Sequence, residues 1–116
     1  MVTFAPEARA DPFEVLAEPN RRRILDLLQG AERPVGELVT ALALSQPAVS
    51  KHLRVLRQAG MVEVRRDAQR RLYRVRATPL HAIDDWLAPY REMWESSLDD
   101  LERELEIMPD DPSPER

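Results

Sequence analysis

Gln46, Ser50, Arg54 and Arg57 recur at steps of four, four and three residues. At 100° per residue this sets an amide, a hydroxyl and two guanidiniums on one side of a helix, with Lys51 and Gln58 beside them. Groups of these types can hydrogen-bond base edges in a major groove and ion-pair with phosphates. Opposite them Val49, Leu53 and Leu56 share an apolar face, flanked by Ala59. A wet basic helix side is most often just solvated surface, so the flanking sequence has to decide. Catalytic chemistry does not compete for these residues. The chain has no cysteine and only three glycines, none in a phosphate-cradling loop. It also lacks a serine with a nearby His–acid pair, so neither an enzyme nor a cofactor is expected.

The helix carrying these groups is predicted from Ser45 to Gly60. Ser45 is a good N-cap, Pro47 falls in the first turn where a missing N–H costs little, and Gly60 suits a left-handed stop. The net charge of −4 over 116 residues looks unsuitable for a polyanion partner. The average conceals a segregation. Between Asn20 and Arg76 thirteen basic residues face five acids, whereas residues 77–116 hold three arginines against twelve acids. A basic middle between acidic ends suits a polyanion bound by the middle alone. At this length one domain with one core is expected. No apolar run approaches the roughly 18 residues of a membrane span, and no secretory pattern opens the chain, so a cytoplasmic protein away from membranes is expected.

Residues 1–10 read as a loose, flexible arm. Asp11-Pro12 then opens a short helix with Phe13, Leu16 and Ala17 as its apolar side. A second helix runs from Pro19 to Gln29, burying Ile24, Leu25, Leu27 and Leu28, with Glu18 as a poor cap. Arg21, Arg22 and Arg23 fan around it, leaving one as a phosphate contact and the others solvated. A third helix, Gly36–Ala43, turns Leu38, Val39 and Leu42 inward. Joined at Leu44-Ser45 to the basic helix, it forms a helix-turn-helix. Past Gly60 the period becomes two: Val62 and Val64, then Tyr73 and Val75, alternate with charged residues. This predicts a hairpin closed by a loop over Asp67–Arg70. A basic hairpin in this place is a wing.

Thr78-Pro79 is expected to cap the last helical region. There Leu80, Ile83, Leu87, Tyr90, Trp94, Leu98, Leu101, Leu105 and Met108 follow steps of three and four, close to a heptad seam. Pro89 predicts a break or kink near Ala88, giving a shorter helix and then a longer one. The seam exceeds what a small winged core can cover, which predicts pairing with the same helix of a second subunit. Trp and Tyr at helical spacing read as packing for that pairing rather than as the lining of an inducer pocket. Residues 109–116 read as a disordered tail after a domain spanning 11–108. The fold class expected is mainly α with a small β-hairpin (α+β).

This order of elements, with EPNRRRILDLL, ELVTALALSQPAVSKHLRVLRQAGMVEVRRDAQRRLYRVR and DWLAPYREMW, resembles the ArsR/SmtB family of bacterial winged helix-turn-helix repressors. The resemblance covers about residues 11–108 and is most specific from Leu44 to Val64. It implies a homodimer paired through the first and last helices, which binds an imperfect palindrome in double-stranded DNA until an inducer releases it. It places the DNA-reading helix at Ser45–Ala59 and the wing at Val62–Arg76. The DNA-binding residues expected are then Ser45, Gln46, Ser50, Lys51, Arg54, Arg57, Gln69, Arg70 and Arg71. Those of the dimer interface are Phe13, Leu16, Leu87, Tyr90, Trp94, Leu98, Leu101 and Leu105. Metal-sensing members carry cysteines in the helix matching Glu37–Leu42, which here reads ELVTAL. His81 has no second histidine at a useful spacing, and His52 falls at the apolar edge of its helix, suited to a part-buried hydrogen bond. No metal site is therefore expected. An inducer of another kind is left open, with no residues to identify it. The competing function is a winged helix that docks a protein, which has no need to gather arginines on the helix face and hairpin.

Overall fold

The computed structural model describes residues 10–107. The predicted arm (apart from Ala10), the tail and Met108 fall outside that range. The described residues form two units, one up to Ile83 and one from Asp84.

In the first unit the elements run α1 (Pro12–Leu16), α2 (Pro19–Leu28), β1 (Arg33–Pro34), α3 (Val35–Leu42), α4 (Gln46–Gln58), β2 (Val62–Asp67) and β3 (Arg70–Val75). A 3-10 turn, Thr78–Leu80, leads into α5 (His81–Ile107), whose residues from Asp84 onward make up the described part of the second unit. Ile24, Leu28, Leu38, Val49, Leu53, Leu56 and Met61 are almost fully buried and join α2, α3, α4 and the start of the hairpin in one core. Removing a side chain such as Leu53 from it costs about 2–5 kcal/mol.

Several local features differ from the expected ones. In α1 the buried residue is Val15 (1% exposed), while Phe13 is 41% exposed and Ala17 is exposed. A five-residue helix makes barely more than one turn, so only one side chain can point straight into the core. Asp11 does cap it, accepting from the Phe13 N–H at 3.0 Å. Glu18, unpromising as a cap, holds the Asn20 N–H at 2.7 Å because its longer side chain folds back onto the first turn of α2. Arg21 and Arg22 are engaged rather than solvated. Their guanidiniums donate to the carbonyls of Val15 (3.2 Å) and Leu16 (2.6 Å) at the end of α1. Cations at a helix C-terminus satisfy carbonyls that have no partner within the helix. Arg23 donates to the Asn20 side chain at 3.0 Å.

The sheet has three strands in the order β1-β3-β2, all antiparallel. The two residues of β1 are too few to show a period, and Pro34 is tolerated because β1 is an edge. Asp67 pairs with Arg70, so the hairpin turn is only Ala68-Gln69, with Ala68 at φ +58°. Tyr73 and the adjacent Leu72 are both buried. As the middle strand, β3 covers both faces, and the ladders set Pro34 and Arg65 on either side of Leu72.

Thr78 makes no side-chain cap, and α5 runs unbroken through Pro89 for 27 residues. Proline removes one helical hydrogen bond, a loss confined to a single turn. Arg91 spans that turn, with Nη1 2.8 Å from the Asp84 carboxylate and Nη2 donating to the Asp84 carbonyl at 3.4 Å. None of the residues of α5 is buried.

The turn from α3 to α4 is set by Ala43, which is exposed and left-handed at φ 57°, ψ 41°. This conformation costs a residue with a Cβ about 1–2 kcal/mol, partly offset in glycine by greater freedom in the unfolded chain. Ala43→Gly is expected to stabilise the protein by about 0.5–1 kcal/mol. Its thermal midpoint should rise by a few degrees, and a lowered midpoint would show the turn to be relaxed as it stands.

Candidate nucleic-acid interface

Helix α4 starts as its sequence dictates. The Ser45 Oγ accepts from the Ala48 N–H at 3.2 Å, which fixes the first turn and commits the hydroxyl. Val49, Leu53 and Leu56 anchor the inner face, and Gly60 leaves the helix at φ +76°. The opposite face then has no choice but to meet solvent. Gln46, Ser50, Lys51, Arg54, Arg57 and Gln58 are all exposed. His52 is half-buried at the edge, with Nδ1 accepting from Arg21 Nε at 3.5 Å, in keeping with the hydrogen-bonded role expected for it.

Beside α4 the hairpin projects its charged residues. An open hollow of about 410 Å³ lies between them, lined among others by Gln46, Ser50, Gln69, Arg70 and Arg71. A second, of about 250 Å³, has Arg57 on one side and Arg66 and Arg71 on the other. Five of the residues singled out from sequence therefore share one hollow, and Arg57 meets Arg71 in its neighbour. Lys51 and Arg54 line neither hollow and stand exposed along α4.

The thirteen basic residues of the middle region are not equivalent. Arg65 grips Glu32 with three contacts of 2.8–3.0 Å. Those hydrogen bonds, opposed by partial desolvation and assisted by the charges of Arg65 and Arg74, hold the Glu32 carboxyl below its usual range. They hold Arg65 correspondingly above its own. Arg74 and Arg76 share Glu63 at 2.9 and 3.2 Å, Arg33 reaches Glu37 at 3.2 Å, and Arg70 reaches Asp67 at 3.5 Å. Each such exposed pair adds little stability, but each occupies a cation. Among the described residues of this region, those left with no acid or hydrogen-bonded partner are Lys51, Arg54, Arg57, Arg66 and Arg71. All five lie on α4 or the hairpin. Arg66 was not singled out from sequence, although its parity with Val62 and Val64 points it to the same side of the sheet.

The residues expected at a dimer interface fall in both units. Phe13 is exposed, while Leu16 is half-buried against the first unit's core. In the second unit Leu87 is half-buried, and Tyr90, Trp94, Leu98, Leu101 and Leu105 are 42–64% exposed. The Trp86 and Tyr90 rings meet with centroids 4.9 Å apart. Among the described residues no three of His, Cys, Asp and Glu are placed to hold a metal ion.

Residues 18–64 match the profile of bacterial regulatory proteins of the arsR family. The transcriptional repressor SdpR of Bacillus subtilis is 30% identical over 86 residues, 74% of this chain and 96% of SdpR. The chain belongs to the ArsR family. Other ArsR-family similarities agree. The transcriptional activator HlyU of Vibrio cholerae is 39% identical over 75 residues, 65% of this chain and 69% of HlyU. The solved structure of reduced HlyU from Vibrio cholerae has a TM-score of 0.56 at 37% identity, covering 67% of this chain and 82% of that one. An ArsR-like regulator from Rhodococcus sp. RHA1 reaches 0.63 at 28% identity, covering 84% and 89%. This ArsR-family chain is thus a winged helix-turn-helix, DNA-binding transcriptional regulator and not an enzyme.

Proposed function

We propose that the protein is a homodimeric, sequence-specific repressor of an imperfect palindrome. Gln46 and Ser50 read base edges in the major groove, and Arg54 reads guanine. Lys51, Arg57, Arg70 and Arg71 neutralise phosphates, Gln69 approaches the backbone from the hairpin turn, and Ser45 holds the helix start in place. The carrying observation is where the unpartnered cations lie. Four acids of the middle region are taken up by Arg33, Arg65, Arg70, Arg74 and Arg76, which leaves the unpaired positive charge on the exposed face of α4 and at Arg66 and Arg71 of the hairpin. Pairing through α1 and α5 would cover Phe13, Leu16 and the exposed seam of α5, including its aromatics. It would set two α4 helices about 34 Å apart, one turn of duplex. SdpR, spanned almost entirely by the match, supports repression; the name of HlyU shows that related chains also activate. The protein would act in the cytoplasm, where its DNA lies.

Binding to duplex DNA from upstream of its own coding region tests this reading. If a dimer neutralises on the order of eight phosphates, the log–log slope of affinity against salt is about −7. A slope near zero, or equal affinity for unrelated duplexes, would reject it. A reporter driven from the bound DNA, with the protein present and absent, separates repression from activation.

A further inference from the structure

On one face of the sheet Val62 and Val64 of β2 and Tyr73 and Val75 of β3 pack on the helical core. Side chains two apart on a strand share a face, so the same parity continues to Arg66 and Arg71. The register sets these two directly opposite each other across the ladder. Where the hairpin runs past the core, a pair of guanidiniums thus takes over from apolar side chains. Like charges placed opposite each other destabilise a strand pair. Among the described residues nothing relieves them: no acid lines the hollow they share with Arg57, and Arg65, which also lines it, is already bound by Glu32. Arg57 comes from the last turn of α4 and adds a third uncompensated guanidinium.

We propose that Arg57, Arg66 and Arg71 form one seat for a phosphate group. Planar forks approaching from a helix and from two strands suit an anion that accepts hydrogen bonds from several directions, as tetrahedral phosphate does. The group that fits is a phosphodiester of duplex DNA lying along α4 or the phosphate of a free small molecule. The first source rests on the proposed function. In either case Arg66 and Arg71 repel each other in the free protein, and the bound anion relieves them.

The test compares the wild type with Arg66→Gln, which alters an exposed side chain and spares the core. Arg103→Gln on α5 is the control for net charge. Duplex affinity is measured against salt, and thermal unfolding is followed with and without millimolar inorganic pyrophosphate at matched ionic strength. Arg66→Gln is expected to make the salt slope of the dimer shallower by about 2, leaving preference among sequences unchanged. It should also melt higher than the wild type without anion and lose the rise that pyrophosphate produces in the wild type. A shallower slope assigns the seat to the DNA backbone. Loss of the pyrophosphate effect at an unchanged slope assigns it to free phosphate compounds. If neither moves, or Arg103→Gln moves both equally, the seat is overturned. A wild type that binds no duplex defeats the regulator reading alone, since the pyrophosphate arm still decides the seat.

Discussion

Leu98→Glu or Leu101→Glu is expected to turn the proposed dimer into single subunits and to weaken binding to a palindrome by at least about 100-fold. The two leucines are 64% and 52% exposed, belong to the unit beyond Ile83, and are not among the core residues that hold the helix-turn-helix. Buried in a pairing seam, each leucine is worth about 1.5–3 kcal/mol. A carboxylate in its place would lose that gain and add the cost of an unpaired charge removed from water. The proposed dimer would also supply the gain in affinity from engaging two half-sites at once, commonly 10²–10⁴-fold. Sedimentation velocity reads the first effect and operator titration the second. Circular dichroism should show the thermal unfolding of the winged unit largely retained. An unchanged dimer in sedimentation would place the subunit contact elsewhere.

The other large effect is expected from Arg54→Ala. Arg54 is exposed on α4, has no acid or hydrogen-bonded partner among the described residues, and stands between the proposed base-reading positions Gln46 and Ser50 and Arg57 in the last turn. A bidentate arginine–guanine contact discriminates by about 1–3 kcal/mol, and a dimer makes it twice. Affinity for the operator should fall by roughly 30-fold or more, whereas affinity for unrelated duplex should fall far less. Preference at one position in each half-site should relax, which a panel of operators substituted at single positions would reveal. Equal weakening on every sequence, with a slope shallower by about 2, would reassign Arg54 to the phosphate backbone.

Much of this molecule is legible because the relevant interactions are local. Ser45, Pro47 and Gly60 mark the ends of α4 through cap and backbone preferences that act within one turn. Val49, Leu53 and Leu56 fix which side is buried, and so which side meets solvent. The alternation of Val62 and Val64, then Tyr73 and Val75, gives away the hairpin for the same reason. Failures occur where a rule of thumb about one residue met a specific partner. Glu18 is a poor cap on average, yet its carboxylate reaches the Asn20 N–H. Pro89 usually ends a helix, yet α5 continues, with Arg91 bridging back to Asp84. Arg21 and Arg22 look like solvated cations until the end of α1 comes within reach of their guanidiniums.

From the order of residues alone follow the helix-turn-helix and wing, the basic middle between acidic ends, and the apolar seam of α5. Each depends on period, composition or a cap, which involve neighbours a few positions apart. Which cations remain available could be settled only by folding. Glu32 lies 33 positions from Arg65 and Glu63 lies 11 from Arg74, and it is the packing of the sheet that brings each pair within 3 Å. Ion pairing acts over a few ångströms of space regardless of separation along the chain. A count of charges therefore says that the middle is basic, and only the fold says that Lys51, Arg54, Arg57, Arg66 and Arg71 are the ones left to meet an anion.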